Sequence, residues 1–293
     1  MPLPRPALAA LLAACAFLGA GCGGSGTAGP ATSVTITRDF GASVIAQTEK
    51  VEATSGLTAL RQLETVHKVT TGYGGRYVKS IDDTAEDSDS SWLFFVDGIE
   101  SPVGATSTRL KPKQVVQWDF HAWENVRTGG AIVGAYPLPL KKRGVRVICV
   151  PRFIIACRVA REGLTAAGVV VNRRGPDKLI VGEWNSIQGL DGVPDLTLPG
   201  DTNGAYAQFT KNGRTLIPYS ADGSPEKGLI NSSALLAAFA NPDGVVWVAT
   251  GTDEDAASSA ARLLGAEKGK LRNRFAMAID NGREHALPLG AGR

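Results

Sequence analysis

The chain predicts an α+β fold in two domains: a small mixed β-sheet domain carrying one helix, followed by an α/β or α+β domain. Three observations lead there. The 293 residues, less an N-terminal leader, suit two domains better than one. The first half orders its patterns as strand, strand, helix, strands. The second half alternates strand-like and helix-like segments, as layered α/β or α+β packing requires.

The leader is set apart from the fold. MPLPRPALAALLAACAFLGAGC opens with Arg5 and runs through an apolar stretch from Ala7 to Ala20 into small residues. That stretch is shorter than the ~20 apolar residues a membrane-spanning helix needs. Residues 1–21 therefore read as an export signal. The cleavage region resembles a bacterial lipobox, in which a cysteine after small residues is acylated and becomes the new N-terminus. Cys15 follows Leu12, Ala13 and Ala14, but too short an apolar run precedes it. Cys22 follows a full one and begins a Gly/Ser-rich tether over 22–32. Cys22 is the expected lipidation site, with Cys15 or plain secretion as alternatives, which implies a lipid-anchored protein on the extracytoplasmic face of the cell membrane.

A domain over 33–126 follows. SVTITRDF alternates Val34 and Ile36 with Thr35 and Thr37, the period of a half-buried strand. A second strand contains Ser43 to Gln47. Leu57, Leu60 and Leu63 then recur at helical spacing behind Ser55 or Thr58 as caps, predicting a helix near 56–67. The glycine-rich TGYGGRYVKSID and an acidic run, Asp82 to Asp89, precede the strand-like SWLFFV. Asp97 and Gly98 mark a turn, and Lys111 to Gln114 a second turn into VVQWDFHAW. Strand alternation places Trp92, Phe94 and Val96 on one face and Leu93 and Phe95 on the other. On the last strand Val116, Trp118 and Phe120 oppose Val115, Gln117, Asp119 and His121.

GYGGRYVKSID, SWLFFVDGI, the Val103-Gly104 pair and LKPKQVVQWDFHAW, in this order behind a lipobox, resemble the transcobalamin C-terminal-like domain of bacterial, actinobacterial-type surface lipoproteins. The resemblance covers about a third of the chain and implies a β-grasp-like sheet with one helix. The family usually has Gly-Asp in the turn before the last strand, where this chain has Lys113 and Gln114. In transcobalamin the related domain covers one face of cobalamin together with a helical domain that this chain lacks, so cobalamin enters as a candidate ligand and no other cofactor is implied.

A connector over 127–143 carries paired glycines and Pro137 and Pro139 and reads as an ordered crossover, with KKRGVR a solvated connector. In the second domain, 144–282, VRVICV, VVVN, KLIVGEW and GVVWVAT read as strands. YAQFT and RTLIPYS read as a hairpin, Ala156 to Ala167 and GLINSSALLAAFAN as helical, and FAMAID as a final strand before a tail, 283–293. TDEDAASSAARLLG predicts a helix capped by Thr252, with acids in its first turn and Gly265 at its end. Cys149 and Cys157, the remaining cysteines of an exported chain, are expected to pair as a disulfide.

The formal net charge of +3 gives no electrostatic case for nucleic acid. His121 and Asp119 share a strand face, but two ligands do not close a metal site. The acidic run lacks the glycine and final glutamate of an EF-hand. GxSxG, HExxH and GxxxxGK[ST] are absent, so no catalytic residue is expected. Candidate ligand contacts are the aromatic and polar residues left over from the core: Tyr73, Tyr77, Phe95, His121 and Trp123. The functional expectation is a lipid-anchored protein binding a small molecule or an envelope protein. A structural or assembly lipoprotein and a secreted hydrolase are the alternatives.

Overall fold

A computed structural model describes residues 29–292 except 125, 231 and 268. The expected leader with Cys15, the expected lipidation site Cys22 and most of the expected tether lie outside the described residues.

The first sheet contains β1 (Ala31–Arg38), β2 (Ser43–Glu52), β6 (Ser90–Val96), β7 (Ile99–Glu100) and β8 (Val115–Ala122), ordered β2-β1-β8-β6-β7. β8 runs parallel to β1 and antiparallel to β6, so the sheet is mixed. Helix α1 (Ala59–Val66) starts at Thr58, whose Oγ1 accepts the Arg61 N–H. Its Leu60 and Leu63 pack with Val34, Ile36, Trp92, Val116, Trp118 and Phe120 on one face of the sheet. Alternation alone produces this split, because side chains two apart on a strand share a face.

The glycine-rich TGYGGRYVKSID holds secondary structure of its own. It forms a hairpin, β3 (Val69–Gly72) and β4 (Tyr77–Ile81), joined by β5 (Thr84–Ala85) into a separate three-stranded sheet. The β6–β7 hairpin turns on Asp97 (φ 51°) and Gly98 (φ 82°), the paired left-handed residues that a two-residue turn demands. Lys113 also has a left-handed φ of 67°, which accounts for a glycine at this turn in the resembling family. Gln114 braces the turn here by accepting the Lys111 N–H at 2.7 Å and donating to Asp97 at 3.1 Å.

The connector contains α2 (Leu138–Arg143). Beyond it, β9 (Val145–Cys149), α3 (Ile154–Ala166), β10 (Asp177–Glu183), α4 (Trp184–Ile187), β11 (Ala207–Phe209), β12 (Thr215–Pro218) and β13 (Leu229–Ile230) follow. The chain then continues through β14 (Ala234–Asn241), β15 (Gly244–Gly251), α5 (Glu254–Arg262), β16 (Ala276–Asp280) and β17 (Arg283–Leu287). Six strands form one sheet, β17-β16-β14-β15-β10-β9, with β9, β10 and β15 parallel. α3 and α5 pack on one face. The β11–β12 hairpin falls where YAQFT and RTLIPYS were expected to pair.

Four expectations are corrected. ALLAAFAN, expected to be helical, is the strand β14, buried on both faces between β15 and β16; pairing on both edges overrides the helix preference of alanine and leucine. VVVN makes only an isolated bridge, Val145 with Val171. α5 is capped by Asp253, not Thr252: the Asp253 Oδ1 accepts the Ala256 N–H at 2.8 Å while the Thr252 hydroxyl accepts the Ser233 N–H. The presumed tail contains β17, which closes the sheet edge against β16.

Cys149 and Cys157 are joined, with Cα atoms 5.9 Å apart, so the disulfide ties the end of β9 to the first turns of α3. Closing so short a loop should stabilise the fold by about 2–3 kcal/mol through lost unfolded-state entropy. Urea titration of Cys149→Ala/Cys157→Ala should show that loss, with the midpoint lowered and the slope nearly unchanged.

Candidate functional site

The strand face left over by the α1 core, with Leu93 and Phe95 on β6 and Gln117, Asp119 and His121 on β8, is not open to solvent. It packs against the second domain. Phe95 is 0% and His121 2% exposed, and the aromatic rings of Phe40, Phe95, His121, Tyr206 and Phe275 interlock there. Phe275 stands edge-on to Phe40, Phe95 and His121 at 5.4, 5.2 and 5.5 Å, the geometry that suits aromatic quadrupoles.

Asp119 organises this junction. Its carboxylate is fully buried and accepts from the Thr37 hydroxyl at 2.5 Å, the Phe40 and Gly41 N–H groups at 3.0 and 2.8 Å, and bonds the His121 Nδ1 at 2.7 Å. Asp39, Phe40 and Gly41 all have left-handed φ values, of 55°, 55° and 74°. For Phe40 this is unfavourable unless the surroundings hold it; here the carboxylate does so. The turn thereby aims the Phe40 ring at His121, stacked at 4.2 Å. A Cβ on Gly41 would lie 1.8 Å from the Asn273 carbonyl oxygen. Only glycine permits this approach of the two domains.

Beside the junction a cleft of about 610 Å³ remains between the domains. One wall is the β1 and β8 face, with Ser33, Thr35, Val115 and Gln117; the other is built from Tyr136, the C-terminal end of α3, the stretch from Leu263 to Glu267, and Gly269, Leu271, Arg272 and Asn273. Gln117 donates through Nε2 to Thr37 Oγ1 and the Asn273 carbonyl, which fixes its amide across the domain boundary. The half-buried Tyr136 donates its hydroxyl to the Leu264 carbonyl at 2.7 Å. Burial pushes that hydroxyl well above the usual tyrosine range, so it stays a donor at any ordinary pH. Lys141 and Arg272 border the cleft, exposed and without an ion-pair partner among the described residues, opposite a single acid, Glu267. The volume falls within the ~300–1,000 Å³ typical of small-molecule sites, and the lining combines apolar walls with a few oriented polar groups.

The cleft contains none of the five expected contact residues. Tyr73 is 85% and Trp123 49% exposed. Tyr77 borders a smaller pocket of about 220 Å³ beside Trp92, Phe94 and Glu100. Burial first, then its bond to Glu86, raises the Tyr77 hydroxyl above its ordinary value. Phe95 and His121 are corrected from edge contacts to parts of the domain junction. Strand alternation identifies the second face of a sheet but not whether another domain covers it. The cleft residues Tyr136, Lys141 and Arg272 carry no catalytic or binding motif; the connector over 127–143 and its basic KKRGVR cluster were the sequence cues near the first two. Among the described residues no group of three or more His, Cys, Asp or Glu side chains is placed to hold a metal, and no helix is long and apolar enough to cross a membrane.

Residues 56–122 match the family model of a domain of unknown function, DUF4430, which is transcobalamin-like. The match takes in α1 through β8 but not β1 and β2, which complete the same sheet. A crystal structure of a Ruminococcus gnavus protein, whose name proposes metal binding, is 13% identical to the chain, with a TM-score of 0.25 over 31% of this chain and 96% of that one. No curated protein matches. The chain thus folds as an α+β protein whose residues 56–122 are similar to the DUF4430 family.

Proposed function

We propose that this is a non-enzymatic, extracytoplasmic binding protein, anchored to the cell membrane through a lipid on Cys22, which takes a small organic ligand into the cleft between its two domains. The observation that carries the reading is the cleft itself: about 610 Å³, walled by both domains, with Gln117 and Tyr136 held in fixed orientations and Lys141 and Arg272 at its border. A corrinoid such as cobalamin is the first ligand to test, because residues 56–122 are transcobalamin-like. On this reading the second domain supplies the wall that a separate helical domain supplies in transcobalamin, and the protein serves corrinoid uptake.

Calorimetric titration of the mature chain with cyanocobalamin should give saturable one-to-one binding. At ligand near 100 times Kd the melting free energy should rise by about 2.7 kcal/mol. Ala167→Trp, at the half-buried end of α3 in the cleft wall, should abolish the effect. Absence of heat removes the corrinoid, and undiminished binding by the tryptophan variant removes the cleft. Mass spectrometry of the mature N-terminus tests the anchor separately; an unacylated terminus would exclude it.

One surface favours a protein partner as the second reading. Ile154 and Ile155, 73% and 51% exposed, begin α3 next to the disulfide. A rigid, exposed apolar pair is the kind of feature an envelope protein could grip.

A further inference from the structure

The geometry points to a second binding site, for a phosphate monoester, in a groove of about 490 Å³ on the other flank of α2 from the cleft. Two basic segments distant in sequence, RLKPK from Arg109 and KKR from Lys141, converge there. Leu138 and Lys141 border the cleft, whereas Pro139, Lys142 and Arg143 border the groove.

The groove carries four cations, Arg109, Lys111, Lys142 and Arg143, and two acids, Asp97 and Glu100. Both acids are already engaged. Asp97 accepts from Lys142 Nζ at 2.7 Å, from Gln114 Nε2 at 3.1 Å and from the Val115 N–H at 3.0 Å; Glu100 accepts from the Thr128 hydroxyl. Arg143 is bound by two nitrogens to the buried Asp177, at 3.1 and 2.6 Å. These pairs fix the far wall. They leave Arg109 and Lys111 with no carboxylate in ion-pair range among the described residues.

Leu110 explains why both point outward. It is 8% exposed and packs into the α1 core, so in the extended segment its two neighbours project the opposite way. The Thr58–Arg109 bridge and the bond from the Leu110 N–H to the Leu57 carbonyl hold that segment against the start of α1. Asp97 offsets Lys142 and Asp177 offsets Arg143, so Arg109 and Lys111 face only the Glu100 carboxylate, and the groove keeps a net charge of about +1 toward a phosphate monoester, which carries about −1.5 to −2 near neutral pH. Arginine offers a planar fork and lysine a point charge, both suited to phosphate oxygens. The partly buried Ile99 and buried Pro139 give the groove an apolar floor for the organic part of the ligand.

The phosphate could be carried by a soluble ester or by a lipid headgroup, and two arms separate these sources. The mature chain is titrated with glycerol 3-phosphate by calorimetry, and sedimented with vesicles of phosphatidic acid in phosphatidylcholine, both at low ionic strength. Binding is expected in at least one arm. Arg109→Ala/Lys111→Ala should weaken it by about tenfold or more. Lys211→Ala/Arg214→Ala, which removes two exposed cations from the β11–β12 turn, should leave it unchanged, and both variants should melt like the parent. No binding in either arm overturns the site, as does an affinity of the first variant within about twofold of the parent, or an equal loss in the second.

Discussion

Replacing Asp119 by alanine is expected to destabilise the protein by about 3–5 kcal/mol, the range found when one partner of a buried charged network is removed. The carboxylate is 0% exposed and is the acceptor for Thr37 and for the Phe40 and Gly41 N–H groups, as well as the partner of His121 Nδ1. Alanine leaves these groups facing one another where water does not reach, and each unsatisfied donor costs about 1–3 kcal/mol. It also removes what holds Phe40 at a φ of 55°. The turn should relax and withdraw the Phe40 ring from His121. Asp119→Asn keeps the shape but turns an amide N–H₂ toward donors, and should cost less, about 2 kcal/mol. Urea unfolding followed by tryptophan fluorescence measures both; a loss under about 1 kcal/mol for Asp119→Ala would show that the network does not hold the junction.

Much of the fold was legible because it rests on local rules. The Thr58 cap, the leucine spacing of α1, the Asp97-Gly98 turn and the sorting of Trp92, Phe94, Trp118 and Phe120 to one face follow from period, capping and turn chemistry. The Cys149–Cys157 pair followed from the small number of cysteines and the expectation that the chain is exported. The candidate site was not legible. Gln117, Asp119 and His121 could be placed on a shared face, yet no periodicity says that Phe275 and Asn273, more than 150 positions away, will cover it. β14 was hidden for a related reason. Its alanines and leucines favour a helix locally, and only strands on both edges make it a strand. Tyr73 and Trp123 remain exposed aromatics as expected, but the walls of the cleft come from ordinary residues brought together by docking.

Phe275→Ala should have an effect of similar size, about 3–5 kcal/mol, through a different mechanism. Phe275 is 1% exposed and immediately precedes β16. Its ring meets Phe40, Phe95, His121 and Tyr206. Truncation leaves a cavity whose walls belong to two domains, and collapse of one wall onto the other would disturb the bonds Gln117 makes with Thr37 and Asn273. The consequence reaches beyond stability. The bond to Asn273 joins the cleft's two walls, so Phe275→Ala should also weaken any cleft ligand, whereas a core truncation confined to one domain, such as Leu63→Ala on α1, should lower stability and spare binding. Because Asp119 and Phe275 both act through Phe40 and His121, their effects should not add. In a double-mutant cycle the second truncation should cost less than in the parent, with a coupling of about 0.5–3 kcal/mol. Strict additivity would mean that the carboxylate network and the aromatic cluster are separate supports, and that the domains are held by their backbone contact at Gly41 and Asn273 more than by the rings between them.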